Sequence, residues 1–259
     1  ARGSRIAAAT KSRYSRQVLL PEIGPQGQEK LAMARAVVIG CGALGTHSLS
    51  LLVRAGVGSV TVVDRDLVEL TNLQRQTLFL EDDVGRAKAD AAQERLRRIN
   101  SEVAVKGVAG EVSPSNVDAF VGDATVVIDA TDNMETRYVV NDACVRAGVP
   151  WVYGGAVGVS GMAMVVSKGG PCLRCVFPRP PRQGMLPTCN TVGIANTLPG
   201  MVASVQVTEA FKIMMGRDHT PELMVMDVWS HDIQKIKVKR DPKCATCGAG
   251  APPLRKVRG

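Results

Sequence analysis

The sequence predicts a doubly wound α/β fold, Rossmann-like, with a mostly parallel sheet extended by antiparallel strands. Three observations predict it. Short β-branched runs alternate with helical stretches through the first 155 residues. A glycine-rich turn directly follows the first of those runs. Past about residue 156 the alternation gives way to strands close enough in sequence to form hairpins.

Taken in order, 36–40 (AVVIG) and 60–64 (VTVVD) read as buried strands, because an unbroken apolar run has no solvent face. The segments 103–108, 125–131 and 151–155 read as three more. Between them, 43–55, 86–98 and 134–147 carry helical patterning. In the second half, 161–167, 223–229 and 233–239 read as antiparallel strands, the last two joined by a tight turn. A long helix over 199–216 precedes that pair, with Pro199 in its first turn and Gly216 at its end. The Pro-, Gly- and Thr-rich segment 176–198 reads as a mobile loop. The division expected is a basic tail over 1–13 and one domain over 14–259. Within that domain, 14–155 forms a nucleotide-binding half, and 156–259 a half that binds metal and a partner.

Composition narrows the function. The net charge is +8, yet aromatic residues make up only 3% and the cations are spread out, so neither base stacking nor a recognition helix is in evidence. The expectation is no nucleic acid. No apolar run reaches the roughly 18 residues of a membrane span, so no membrane is expected either. Seven cysteines, four of them in two C-x-x-C pairs and with no secretory signal, suit metal ligation in a reducing cytoplasm.

The chemistry gathers around the turn Gly40-Cys41-Gly42-Ala43-Leu44-Gly45. G-x-G-x-x-G between strand and helix lets phosphate oxygens approach backbone N–H groups at a positive helix end. Asp64 closes the next strand, nineteen residues after Gly45, where an acid accepts hydrogen bonds from a ribose. The turn alone suits NAD as well as ATP. Downstream, Arg75 and Lys88 can bracket a third phosphate, and Asp132, past the fourth strand beside Asn133, can hold Mg2+. That set favours nucleotidyl transfer over hydride transfer.

Cys172, Cys175, Cys244 and Cys247 offer a closed four-thiolate set for a structural Zn2+. Redox C-x-x-C pairs favour helix starts, whereas these lie among Pro, Gly and Lys. Cys189, alone in the 176–198 loop, is a candidate thiol nucleophile. Cys41 and Cys144 read as packing residues, and the three histidines form no cluster.

Together these motifs resemble the ThiF/MoeB/HesA family, prokaryotic relatives of ubiquitin-activating enzymes. The resemblance runs from Tyr14-Ser15-Arg16-Gln17, through D-x-D-x-V-E-x-x-N-L-x-R-Q, V-G-x-x-K, A-T-D-N and T-E-A-x-K, to the closing C-x-x-C. It implies a cytoplasmic adenylyltransferase using ATP and Mg2+. Such an enzyme activates the C-terminal glycine carboxylate of a small ubiquitin-like sulfur carrier ending in Gly-Gly. It implies that Asp64 holds the ribose and that Asn72, Arg75 and Lys88 contact phosphates, with Asp66, Gln76 and Asn133 beside them. It implies Mg2+ at Asp132 and a homodimer in which Arg16 reaches the partner's ATP. A separate persulfide donor would supply sulfur. The alternative it leaves open is an activating enzyme that forms a thioester at Cys189 for a conjugating enzyme. Ala43 stands where many members have glycine.

Overall fold

A computed structural model describes residues 13–179, 181 and 187–249. The central element is one eight-stranded sheet: β1 (Arg35–Ile39), β2 (Ser59–Asp64), β3 (Ala104–Ala109), β4 (Val126–Asp129), β5 (Trp151–Val157), β6 (Ser160–Val166), β7 (Leu223–Asp227) and β8 (Asp232–Ile236). Its spatial order is β3-β2-β1-β4-β5-β6-β7-β8. The first five strands pair in parallel and the last three join antiparallel. The α/β class and the mixed sheet therefore agree with the pattern in the sequence.

The helices in chain order are α1 (Ser15–Val18), α2 (Gly24–Met33), α3 (Ala43–Arg54), α4 (Lys88–Ile99), α5 (Val117–Val121), α6 (Met134–Ala147), α7 (Leu173–Val176), α8 (Cys189–Val192) and α9 (Thr197–Met215). They cover both faces of the sheet, and alternation along each strand feeds two cores. Ala36, Val38, Val60, Val62, Val126, Ile128 and Val152 face α2, α3, α4 and α9. Val37, Ile39, Val63, Val127, Trp151 and Tyr153 face α5, α6 and α7. Strands buried on both sides have no polar face, which is why they read as continuous apolar runs.

Several boundaries differ from expectation. The helix drawn from residue 86 starts at Lys88, because Val68 N–H binds Arg86 O and Gly85 N–H binds Val68 O, holding 85–87 out of the helix. The strand drawn to residue 131 ends at Asp129. Val228 and Trp229 lie in the turn after β7, and β8 stops at Ile236. The 176–198 segment contains α8 and the start of α9, while residues 180 and 182–186 of it lie outside the described part. So does the basic tail, apart from Arg13. Among the described residues no helix is long and apolar enough to cross a membrane.

Candidate functional site

The strand order reverses direction between β1 and β4. In open α/β sheets such a switch point leaves a crevice at the carboxyl ends of the strands. The glycine turn and the Asp132 loop both start there.

The three glycines of the turn have different reasons to be there. Gly40 has φ +97, and a Cβ on it would fall 2.4 Å from Ala130 O. A Cβ on Gly45 would fall 2.1 Å from Gly40 O. Both positions are closed by packing. Gly42, the N-cap of α3, meets only Gln76 Nε2 at 3.7 Å. Its open side is the place where a ligand can reach the first N–H groups of the helix.

Asp64, at the end of β2, accepts hydrogen bonds from Cys41 N–H at 2.5 Å and Asp66 N–H at 2.8 Å. Burial pushes its carboxyl up, and those two N–H groups pull the other way. The 66–68 stretch pairs with 85–88, so Lys88 N–H binds Asp66 O at 2.9 Å. Lys88 Nζ then reaches Asp66 Oδ2 at 3.0 Å, close enough to Asp64 for its charge to act there. Asn72 and Gln76 are buried on the following segment. Asn72 Oδ1 accepts from Glu69 N–H at 3.2 Å, while Gln76 Oε1 is buried with no partner.

Across the crevice, Asp132 and Asn133 are exposed past the end of β4. Asn133 caps α6, its Oδ1 accepting from Thr136 N–H at 2.9 Å. Cys189, half-buried, opens α8 with its Sγ 4.0 Å from Ala156 O. Burial pushes its thiol up, Arg75 opposes that, and Asp132 adds to it. The charges of Arg75 and Asp132 thus both reach the Cys189 thiol.

Arg16 is not brought to this set. It is exposed on α1, where its neighbour Gln17 binds Ala55 O at 3.1 Å, at the far end of α3 from Gly42. Twelve residues of helix separate the two ends by about 18 Å.

Four cysteines meet on the other side of α6. Cys172 Sγ lies 3.6 Å from Cys244 Sγ and Cys175 Sγ lies 3.4 Å from Cys247 Sγ, all four within 4.8 Å of one another. Those spacings are too long for disulfides. They match the roughly 3.8 Å between sulfurs around a tetrahedral zinc with Zn–S of about 2.3 Å. Cys172 is the N-cap of α7, so the first pair does sit at a helix start, contrary to expectation. What argues against a redox pair is the second pair facing it. The cluster is tied to α6: Leu173 N–H binds Asn141 Oδ1 at 2.9 Å. Arg174 grips Asp142 at 2.7 and 3.0 Å, and Thr246 Oγ1 binds the same carboxylate at 2.7 Å.

Sequence reasoning missed a buried polar group under the crevice. Asp129 is wholly buried and paired with Arg137, Nε to Oδ2 at 3.1 Å. Thr131 donates to its other oxygen from N–H at 2.9 Å and from Oγ1 at 2.7 Å. Burial pushes the Asp129 carboxyl up, while Arg137 and Thr131 draw it back. The signal was available: one acid at the end of the otherwise apolar VVID demands a buried donor.

The ThiF family pattern matches residues 14–246. This chain belongs to the ThiF family. Its relatives within ThiF include the sulfur carrier protein ThiS adenylyltransferase of Bacillus subtilis (strain 168). That protein is 48% identical over 242 residues, covering 91% of this chain and 71% of the relative. The SAMP-activating enzyme E1 of Haloferax volcanii is 40% identical, covering 95% and 92%. The sulfur carrier protein adenylyltransferase of Thermus thermophilus is 41% identical, covering 91% and 90%. Among solved structures, E. coli MccB with ATP superposes on this ThiF chain with a TM-score of 0.80 at 25% identity, covering 92% of this chain and 74% of that one.

Proposed function

We propose that this ThiF-family chain is an adenylyltransferase that activates the C-terminal carboxylate of a small ubiquitin-like sulfur carrier with ATP. The observation that carries the reading is that Gly42, Asp64 and Asp132 stand at or just past the carboxyl ends of β1, β2 and β4 around the switch point, with Lys88 paired to Asp66 and the charges of Arg75 and Asp132 both acting on the Cys189 thiol. Membership of ThiF and the relatives' adenylyltransferase activities support it.

The residues divide the work by chemistry. The open side of Gly42 and the N-terminus of α3 receive phosphate oxygens. Asp64 keeps lone pairs free beyond its two backbone donors, and these accept the ribose hydroxyls. Lys88, Arg75, Asn72 and Gln76 line the path of the β- and γ-phosphates. Lys88 exchanges its Asp66 contact for a phosphate oxygen. Arg16 serves the site of the second subunit in a homodimer, since it lies far from the glycine turn of its own chain. Asp132 and Asn133 suit Mg2+, which when bound neutralises charge building on the departing pyrophosphate. A carboxylate oxygen of the carrier's last glycine bonds to the α-phosphorus. The bond from that phosphorus to the β-bridging oxygen breaks, and pyrophosphate leaves with the electron pair. The products are pyrophosphate and a carrier acyl-adenylate, and a separate persulfide donor then consumes the adenylate. Zn2+ on Cys172, Cys175, Cys244 and Cys247 is structural, because four thiolates leave no open position.

The thioester reading has one observation in its favour, that Cys189 lies within reach of the charges of Arg75 and Asp132. Its raised thiol works against a thiolate poised for attack.

The test is ATP–pyrophosphate exchange with and without a Gly-Gly-ended carrier. Exchange that requires the carrier, is lost in Asp132→Ala and persists in Cys189→Ala supports adenylation without an obligatory thiol. Carrier-independent exchange, or none, sinks the reading. A thiol-sensitive carrier adduct absent from Cys189→Ala establishes the thioester route instead.

A further inference from the structure

The ladder between β4 and β5 is short. Val127 pairs with Trp151 and Ile128 with Val152, and there it ends. Beyond it the strands diverge, and their carbonyl groups lose the partners that a sheet would supply. Two side chains from opposite faces replace them. From α9, the fully buried Gln206 donates through Nε2 to Asp129 O at 2.7 Å and to Val152 O at 3.1 Å. From α6, Arg137 donates through Nε to Asp129 Oδ2, and through one terminal nitrogen to Thr131 O at 2.6 Å and Gly154 O at 3.0 Å. Its guanidinium also lies 5.2 Å from the Tyr153 ring centroid.

Thr131 immediately precedes Asp132. Asp132 is exposed, and the cap made by Asn133 orients only the helix that follows. The pose of the Asp132 carboxylate relative to β5 is therefore set by whatever holds Thr131, and Arg137 is the side chain that joins Thr131 to β5. A planar guanidinium can reach a carboxylate and two carbonyls on diverging strands at once. A lysine ammonium is a point donor and cannot span them.

We propose that Arg137 is a positioning residue for the reaction. It clamps the Thr131–Asn133 turn to β5 and so fixes the Asp132 carboxylate, with Gln206 closing the same gap from the opposite face. This rests on the adenylation reading. The experiment compares the full chain with Arg137→Lys, which keeps the positive charge beside Asp129. Hydrogen exchange is measured without nucleotide, and pyrophosphate exchange is measured across a Mg2+ titration. The Thr131 amide is the reporter, since it binds Asp129 Oδ1 at 2.9 Å.

In Arg137→Lys, exchange at 130–133 accelerates about tenfold or more while 36–45 stays protected. The kcat falls about tenfold, the Mg2+ needed for half-maximal rate rises, and KM for ATP holds within about twofold. Faster exchange throughout the protein with an unchanged Mg2+ requirement overturns the proposal, because that is general destabilisation. If Arg137→Lys does not fold, Gln206→Met must give the same localised acceleration, and its absence overturns the proposal equally. A wild-type chain without pyrophosphate exchange sinks the adenylation reading alone, because the hydrogen-exchange comparison still judges the clamp.

Discussion

Lys88 Nζ and Asp66 Oδ2 are 3.0 Å apart, and the two ends of this ion pair sit in different media. The lysine side chain is 7% exposed and the aspartate 56%. A buried ammonium whose main partner is solvated can give that partner up to an incoming phosphate, because Asp66 is then stabilised by water. Lys88→Ala should lower the pyrophosphate-exchange rate by about 10²–10³, the loss usual for a single electrostatic donor. Lys88→Arg should recover only part of it. Steady-state exchange with saturating carrier measures this, and an undiminished rate in Lys88→Ala would remove Lys88 from the site.

Two alanine substitutions in one turn should have opposite consequences. Gly42→Ala places its methyl in ordinary van der Waals contact, 3.7 Å from Gln76 Nε2. Its stability should stay within about 0.5 kcal/mol of wild type, while nucleotide binding weakens. Gly45→Ala drives a methyl against Gly40 O and should cost about 1–3 kcal/mol or more. Urea unfolding and nucleotide titration of both variants separate the two effects. A Gly42→Ala protein with undiminished ATP affinity would show that the ligand does not approach there.

The four-cysteine cluster predicts about one zinc per chain by elemental analysis. Cys247→Ser should lose the metal and lower the melting temperature. Because Arg174, Asp142 and Thr246 link the cluster to α6, loosened hydrogen exchange should extend into 138–145. A metal-free wild-type protein with unchanged stability after chelation would refute the assignment.

Acid should unfold the protein partly through Asp83. Burial works against its charge, but Leu80 N–H, Arg95 and Arg86 together hold its carboxyl below the usual range. For an acid whose folded pKa is depressed, the stabilisation is full above the unfolded pKa of about 3.9. It disappears as pH falls through the folded value. Asp142 has the same sign through Arg174, Thr246 and Asn141, again against burial. Asp64 and Asp129 have the opposite sign, since burial raises both, so protonating them on the way down offsets part of the loss. Asp83→Asn should lose about 1–3 kcal/mol at pH 7 and flatten the dependence of stability on pH below about 4. Equal slopes in variant and wild type would exclude Asp83 as the acid-labile link.

The central strands were legible because they are buried on both faces, so a run such as AVVIG at 36–40 needed no context beyond itself. The helix ends were less so. Lys88 begins α4 only because Gly85 and Arg86 pair with Val68, a contact formed across a turn and invisible to periodicity. The helix Gly24–Met33 went unread, since its weak apolar stripe is anchored by Gln28, a buried polar residue that binds Ala55 O at 3.0 Å. Candidates in the crevice could be named because carboxylates and cations at strand ends are conspicuous. Arg137 and Gln206 could not. Their significance depends on β4 and β5 separating after two paired residues, a property of the sheet and of no local motif.

The missing methyl groups at 40 and 45 also set a direction. Gly40 lies against Ala130 O and Gly45 against Gly40 O, so the glycine turn and the base of the Asp132 loop share a wall one backbone thick. Nothing can be admitted through that wall, and neither side can yield without displacing the other. On the adenylation reading, the nucleotide comes in over Gly42, the glycine of the turn whose Cβ position meets only Gln76 Nε2. The turn is thereby closed on two of its glycines and open on the third, so its accessibility is one-sided.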